Sequence, residues 1–287
     1  MPSPSPTVAQ RRLARALRRL RADADLTIEQ VAEKIDLSAS TLSRLETAQA
    51  TVRRGDIREL LDIYQVTDTP QRQQLLRLAV ESREPPWWQE YRDLPEAAGA
   101  DLEAQADVIR QYSALLVPGL LQTERYAREI LRAVRGDEAS KNDEQQLKLR
   151  MRRQTVLTEP GSPEYVVVLD EPVVRRVVGG RQVMREQLQH LAEASALPNV
   201  TLHLLPFSVG AHAAMDGEFT IFSYEKNPEV VYEDPDVVYV DNIMGGRYIE
   251  RPSITKRYDE AFRRLLEMAW DPVKTAHALV DIERELQ

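Results

Sequence analysis

The chain has 287 residues, 43% of them hydrophobic and 29% charged, with a formal net charge of −8 and no cysteine. That length allows two domains and a sizeable core, while the lack of cysteine excludes disulfides, thiol catalysis and cysteine-ligated metals. The charge is uneven: residues 1–83 hold 14 Lys and Arg against 11 Asp and Glu, a net of +3, and the remainder carries −11. A mildly basic head on an acidic body fits a small DNA-binding domain joined to something else.

Residues 1–6, alternating Ser and Pro, read as disordered, and MPSPSPTVAQRR lacks the apolar run of a signal peptide. No apolar run reaches membrane-spanning length, so the cytoplasm is the expected location and no membrane is expected as a partner. A helix is predicted from Thr7 to Asp23, with Leu13, Leu17 and Leu20 inside. Six arginines between Arg11 and Arg21 spread over its other faces, mostly a solvated surface with one or two near the start placed to touch phosphates.

The next stretch, Leu26–Glu46, reads as two short helices around a tight turn. Thr27 and Gln30 form a capping box, and Val31, Ala32 and Ile35 face inward. Asp36 sits where the chain turns, being one of the few residues besides Gly that tolerate a left-handed backbone. Ser38 caps the second helix, whose Leu42 and Leu45 point inward. Ser40, Ser43, Arg44 and Thr47 share its outer face, a short polar surface of the kind that reaches base edges in the major groove. The alternative is an αα-hairpin in an ordinary bundle. Two caps, a compact turn, the polar outer face and Arg53-Arg54 beyond it jointly favour the helix-turn-helix. Helices carrying Ile57, Leu60, Leu61 and Tyr64, then Leu75, Leu76 and Ala79, complete a five-helix all-α domain.

Pro85-Pro86 interrupts the chain. The predicted organisation is a disordered 1–6, a helix-turn-helix domain over 7–83, a linker and aromatic anchor over 84–100 containing Trp87, Trp88 and Tyr91, and an α+β domain over 101–287. Residues 101–158 read as helical, with DLEAQADVIRQYSALL as one amphipathic segment, helices 123–134 and 143–158 following, and VPGLL as a break. From Glu164 the period changes. YVVVLD and VTLHLLPF read as buried strands on either side of a helix over 181–195. GEFTIFSY, EVVYE and DVVYVD read as antiparallel hairpins, with one more strand within 244–249 and two helices over 252–270 and 272–286. The expected sheet is mixed and largely antiparallel.

Chemistry is sparse in this second part. The four histidines show no metal-binding spacing, and no metal or cofactor is expected. Asp170-Glu171 follows a buried strand, where α/β enzymes place carboxylates, and His212 lies in a loop; these three frame an enzyme alternative. Glu171-Pro172 equally begins a helix, where a carboxylate is favoured, so the chain is not expected to be an enzyme. Trp87, Trp88 and His212 are the candidates for contact with a partner or ligand, against packing for the aromatics and an ordinary loop His. Glu225, Glu229, Glu233, Asp234, Asp236 and Asp241 read either as the solvated face of a half-buried sheet or as a docking surface for a basic partner.

LTIEQVAEKIDLSASTLSRLE resembles the lambda-repressor-like, Xre-type helix-turn-helix, over about residues 10–83. The resemblance implies base contacts from Ala39, Ser40, Ser43 and Arg44, and phosphate contacts from Thr27, Ser38, Thr41, Arg53 and Arg54. Ile28, Asp36 and Ala48 stand where that family often has Gln, Gly and Gly. Further on, YSALLVPGLLQTERYAREIL, LRMRRQTVLT, VVVLDEPVVRRVVGG, MREQLQHL, LPNVTLHLLPFSVGAH, GEFTIFSY, DVVYVD and YIERP resemble, in this order, actinobacterial Xre-type regulators of the WhiJ kind. These carry an antitoxin-like C-terminal domain of unknown function. The resemblance implies a transcription regulator bound to double-stranded operator DNA as a homodimer, with a small protein encoded by the adjacent gene, or a ligand, on its second domain. An antitoxin that neutralises that small protein is the alternative.

Overall fold

The structure is a computed structural model that describes residues 8–51, 53–83, 87–91, 94, 97–135, 141–224, 235–241 and 245–287. The expected disorder of 1–6, the Pro85-Pro86 break and the EVVYE run, with Glu225, Glu229, Glu233 and Asp234, lie outside these residues. The described residues fall into two compact units that divide in sequence between Glu90 and Tyr91.

The described residues of the first unit are all-α. They form α1 (Val8–Asp23), α2 (Ile28–Lys34), α3 (Ala39–Glu46), α4 (Arg54–Ile63) and α5 (Thr69–Glu81). Their apolar stripes close on one core, containing Leu13, Leu17, Val31, Leu42, Leu60 and Leu75. Asp68 caps α5 by accepting from the Gln71 amide, with Pro70 in the first turn, where its missing N–H costs nothing. A 3-10 turn follows over Trp87–Tyr91, in which the half-buried Trp87 and Trp88 rings meet edge to face at 5.7 Å.

The second unit is built on a six-stranded mixed sheet. Its strands are β1 (Val108–Ser113), β2 (Glu164–Asp170), β3 (Val200–Leu205), β4 (Phe219–Ser223), β5 (Val237–Val240) and β6 (Arg247–Ile249), in the order β3-β2-β1-β4-β5-β6. β1, β2 and β3 run parallel, whereas β4, β5 and β6 add on antiparallel. β2 is an interior strand, which explains the unbroken apolar run of YVVVLD. Among the described residues, seven helices accompany the sheet: α6 (Ala97–Gln105), α7 (Glu124–Arg135), α8 (Lys141–Arg153), α9 (Glu171–Arg175), α10 (Arg181–Ala194), α11 (Pro252–Met268) and α12 (Pro272–Glu285). α11 covers one face, where Phe262 and Leu265 pack on Tyr112, Val168, Phe219, Ile221 and Val238. The outer edge of β3 is closed by the Trp270 amide, which donates to the Leu204 carbonyl at 2.8 Å, and by the Thr275 hydroxyl, which accepts from the Leu204 amide at 3.0 Å. Such coverage removes an aggregation-prone edge.

One predicted element is wrong. DLEAQADVIRQYSALL is not a single helix, because α6 ends at Gln105 and β1 occupies Val108–Ser113 in the middle of the sheet. Ile109 and Tyr112 are buried on opposite faces of that strand, and its ladder partners lie more than 50 residues away. Long-range pairing overrides the helix-friendly local composition. α6 also begins at Ala97, inside the stretch read as linker.

Candidate nucleic-acid interface

The capping box is present in full. The Thr27 hydroxyl accepts from the Gln30 amide at 3.3 Å, and the Gln30 side chain accepts from the Thr27 amide at 2.9 Å. Together they satisfy two of the orphan donors at the start of α2. Asp36 takes the left-handed backbone at φ 52, and the Leu37 amide returns to the Ala32 carbonyl at 3.0 Å. Ser38 then caps α3, its hydroxyl accepting from the Thr41 amide at 3.0 Å. α3 ends with the Ala48 amide on the Leu45 carbonyl and the Gln49 amide on the Arg44 carbonyl, at 3.2 and 2.8 Å. That is a Schellman motif with Ala48 at φ 56, where Gly is usual. The helix keeps the geometry of a Gly stop without the Gly.

α3 is two-faced. Leu42 and Leu45 are buried, whereas Ser40, Arg44 and Thr47 are exposed and Ser43 half-exposed. Ala39 is half-buried against the core, so only part of its methyl is left to meet a thymine methyl or a sugar. The Ser38 and Thr41 hydroxyls lie 2.7 Å apart and bond to each other. A phosphate oxygen there would share donors that already stabilise the helix start. Thr27 and Arg53 are exposed, and the Arg54 side chain lies outside the described residues. The Arg44 guanidinium folds back, donating from Nη2 to the Gln49 carbonyl at 3.2 Å. One exposed hydrogen bond contributes about 1 kcal/mol or less, while a bidentate base contact is worth about 1–3, so a guanine edge can recruit the side chain.

A residue the sequence hid proves central to this geometry. Arg21, read as part of a solvated arginine face, makes a bidentate ion pair with Glu46, Nε to Oε1 at 2.7 Å and Nη2 to Oε2 at 2.9 Å. Its Nη1 donates to the Leu26 carbonyl at 2.8 Å. The Glu46 side chain is 3% exposed and that of Arg21 16%, so the pair is desolvated. It ties the last residue of α3 to α1 and fixes how far the outer face stands from the core. Beside it, the Tyr64 hydroxyl is held well above its ordinary pKa by burial and then by the Glu46 charge. The only advance signal is a Glu adjoining the inward-facing Leu42 and Leu45 at the end of α3; no spacing rule links residues 25 apart.

Residues 12–75 match the model of a helix-turn-helix domain, which supports DNA binding by the first unit. Residues 97–281, more than half of the chain, match the model of a domain of unknown function, DUF5753. The chain belongs to the DUF5753 family. No curated protein and no solved structure matches it.

Within the DUF5753 region, the structure brings together two of the three side chains singled out for chemistry. The His212 Nε2 lies 3.6 Å from an Asp170 carboxylate oxygen, and both meet Tyr112, whose hydroxyl donates to Asp170 at 2.8 Å and lies 3.4 Å from His212 Nε2. The Ala214 amide donates to His212 Nδ1 at 3.3 Å, which places the proton of the neutral ring on Nε2, facing Asp170 and Tyr112. Burial, and next the bond to Asp170, hold the Tyr112 hydroxyl far above its ordinary pKa. Glu171 is committed elsewhere: one carboxylate oxygen pairs with Arg175, and the other accepts from the Phe207 amide at 2.7 Å. The DUF5753 cluster thus pins the loop carrying His212 to the ends of β1 and β2. Tyr112 went unnoticed in sequence because its strand read as helix. No helix among the described residues is long and apolar enough to cross a membrane.

Proposed function

We propose that this protein is a sequence-specific DNA-binding transcription regulator of the Xre kind, similar to the WhiJ regulators, and that it acts by binding rather than by catalysis. One observation carries the reading: a polar, exposed edge on α3 (Ser40, Arg44, Thr47) stands on a helix locked by caps at both ends and by a desolvated ion pair. A reading helix must present its side chains without moving. Ala39, Ser40, Ser43 and Arg44 then meet base edges. Thr27, Ser38, Thr41, Arg53 and Arg54 fix the register on phosphates. One such unit covers a half-site, so a homodimer on two half-sites one helical turn apart is the working form. The second unit supplies the regulatory input, from a small protein encoded by the adjacent gene or from a ligand.

Selection of bound sequences from a randomised duplex pool tests this. The full chain enriches a two-fold symmetric site, and Arg44→Ala weakens binding to it by about 1–3 kcal/mol while relaxing preference at one base pair per half-site. Failure of the intact chain to enrich any sequence sinks the reading. Enrichment unchanged by Arg44→Ala moves the reading face to other residues.

A further inference from the structure

α12 has two unlike faces. Thr275, Leu279 and Ile282 are buried, on the side where the helix packs against α10 and β3. Val273, His277, Val280 and Arg284 are exposed on the other side, at i, i+4, i+7 and i+11. That 4-3-4 spacing is the seam of a coiled coil, in which two of every seven residues face a second helix. Water alone does not account for it. Val is a weaker helix former than Glu, Lys, Gln or Arg, because its branched side chain crowds the preceding turn, and a helix face that meets only solvent favours the latter. Val273 is nevertheless 68% exposed and Val280 40%. Ala276 flanks the stripe with a side chain small enough to let another helix come close.

The charges beside the stripe single out the occupant. Lys274 and Asp281 each follow one of the valines and lie on one flank of the helix. A two-fold axis across an antiparallel helix pair brings the same flank of each copy together with its direction reversed. An axis beside His277 sets Val273 level with Val280 of the second copy to within one residue's rise, about 1.5 Å, and Lys274 level with Asp281 of the second copy to the same margin. Each apolar and each opposite-charge contact then occurs twice. A parallel pair would instead set Lys274 against Lys274 and Asp281 against Asp281. The present neighbours leave both charges accessible: the Lys274 ammonium lies 4.2 Å from the Trp270 ring centroid, and Asp281 accepts from Arg284 at 3.3 Å in an exposed pair of little worth. The loops that expose Leu115, Phe207 and Met215 suit a second copy less well. Residues 114–118 and 206–218 carry Asp216 and Glu218 and no Lys or Arg, so two such surfaces would oppose like charges.

We propose that a second copy of this chain docks on the exposed face of α12, antiparallel and two-fold related, with Val273, His277 and Val280 at the seam. α12 has 14 residues and is about 21 Å long. A contact confined to it buries less than the roughly 1,200–2,000 Å² of a standard interface, so the dimer dissociates in the micromolar range. That the protein works as a pair rests on the DNA reading above; the place of contact rests on α12 alone.

Sedimentation equilibrium of the full chain without DNA, from about 1 to about 200 µM, tests it. A monomer–dimer equilibrium is expected. Val273→Glu with Val280→Glu removes the dimer and keeps the thermal unfolding of the second unit, since both positions are exposed and Glu is the better helix former. Lys274→Glu and Asp281→Lys each raise the Kd about tenfold or more, because repulsion replaces attraction on both sides of the axis. Mixed together, these two single variants form a heterodimer tighter than either homodimer, as opposite charges then face each other at both contacts. A role confined to one copy would give no such recovery. A chain that stays monomeric throughout, a dimer untouched by the two valine substitutions, or no recovery on mixing overturns the proposal. A monomeric chain that still enriches a two-fold symmetric DNA site would sink the α12 contact and leave the DNA reading in place; an α12 dimer that selects no sequence would do the reverse.

Discussion

The two units handle backbone strain in opposite ways. Among the described residues, every positive φ in the first unit belongs to a residue with a side chain: Asp25, Asp36, Ala48 and Gln65, all between 52 and 56. In the second unit every one belongs to glycine. The first set closes helices. Asp25, Asp36, Ala48 and Gln65 each follow the cap of α1, α2, α3 or α4, and the next amide reaches back to Arg21, Ala32, Arg44 or Leu61. The left-handed well costs a side-chained residue about 1–2 kcal/mol, a sum that Schellman bonds and packing of the following residue can offset. Leu26, Leu37 and Val66 supply that packing, whereas Gln49 after α3 is exposed. The glycines of the second unit include conformations such as φ 135 at Gly217 and φ 103 at Gly245, outside the well that other residues visit. Strain is therefore spread over the helix ends of one unit and avoided in the other. The weakest support sits at the end of the proposed reading helix.

The largest test of this contrast is Glu46→Ala. Stranding Arg21 should cost the first unit about 3–5 kcal/mol and leave the unfolding of the second unit in place. Denaturation followed by residue-specific NMR should show two separate transitions, and a common loss would break the division. Next comes Gly179→Ala. A Cβ there would sit 2.7 Å from Glu129 Cγ and 3.0 Å from Val183 at φ 68; strain and crowding together predict a loss of about 2–3 kcal/mol in the second unit. Smaller and opposite in sign, Gln65→Gly should stabilise the first unit by about 0.5–1 kcal/mol, as release of left-handed strain exceeds the added freedom of the unfolded chain. Ala48→Gly should change almost nothing, since its methyl is buried and about 0.8 kcal/mol of burial plus about 0.4–1 of chain entropy cancels the relief. A large gain from Ala48→Gly would show that the end of α3 is strained beyond its neighbours.

Much of the first unit was legible because its signals are local. Thr27 with Gln30, Ser38, Asp36 and the Leu42/Leu45 stripe each act within one turn, and each stands where the sequence put it. Arg21 was not legible, since its meaning comes from Glu46 on another helix. In the second unit the β-branched runs showed themselves by composition, but β1 did not. VIRQYS follows a helix-forming DLEAQA and becomes a strand because β2 and β4 flank it, and neither is near in sequence. The row Gln111–Thr220–Tyr239 was not legible for the same reason: its residues become neighbours only through the register of three strands. Asp170 and His212 were grouped in the sequence only as an enzyme alternative, and the structure adds Tyr112, which touches both.

The central place of β1 has a consequence in time. Val108 pairs with Ser223, 115 residues later, so during synthesis at roughly 5–20 residues per second the first strand waits about 6–23 s for its antiparallel neighbour. Among the described residues, the core of the first unit extends no further than Ala79. Each new copy therefore passes through an interval with a finished helix-turn-helix and an unfinished sheet, during which nothing bound by the second unit can restrain the first.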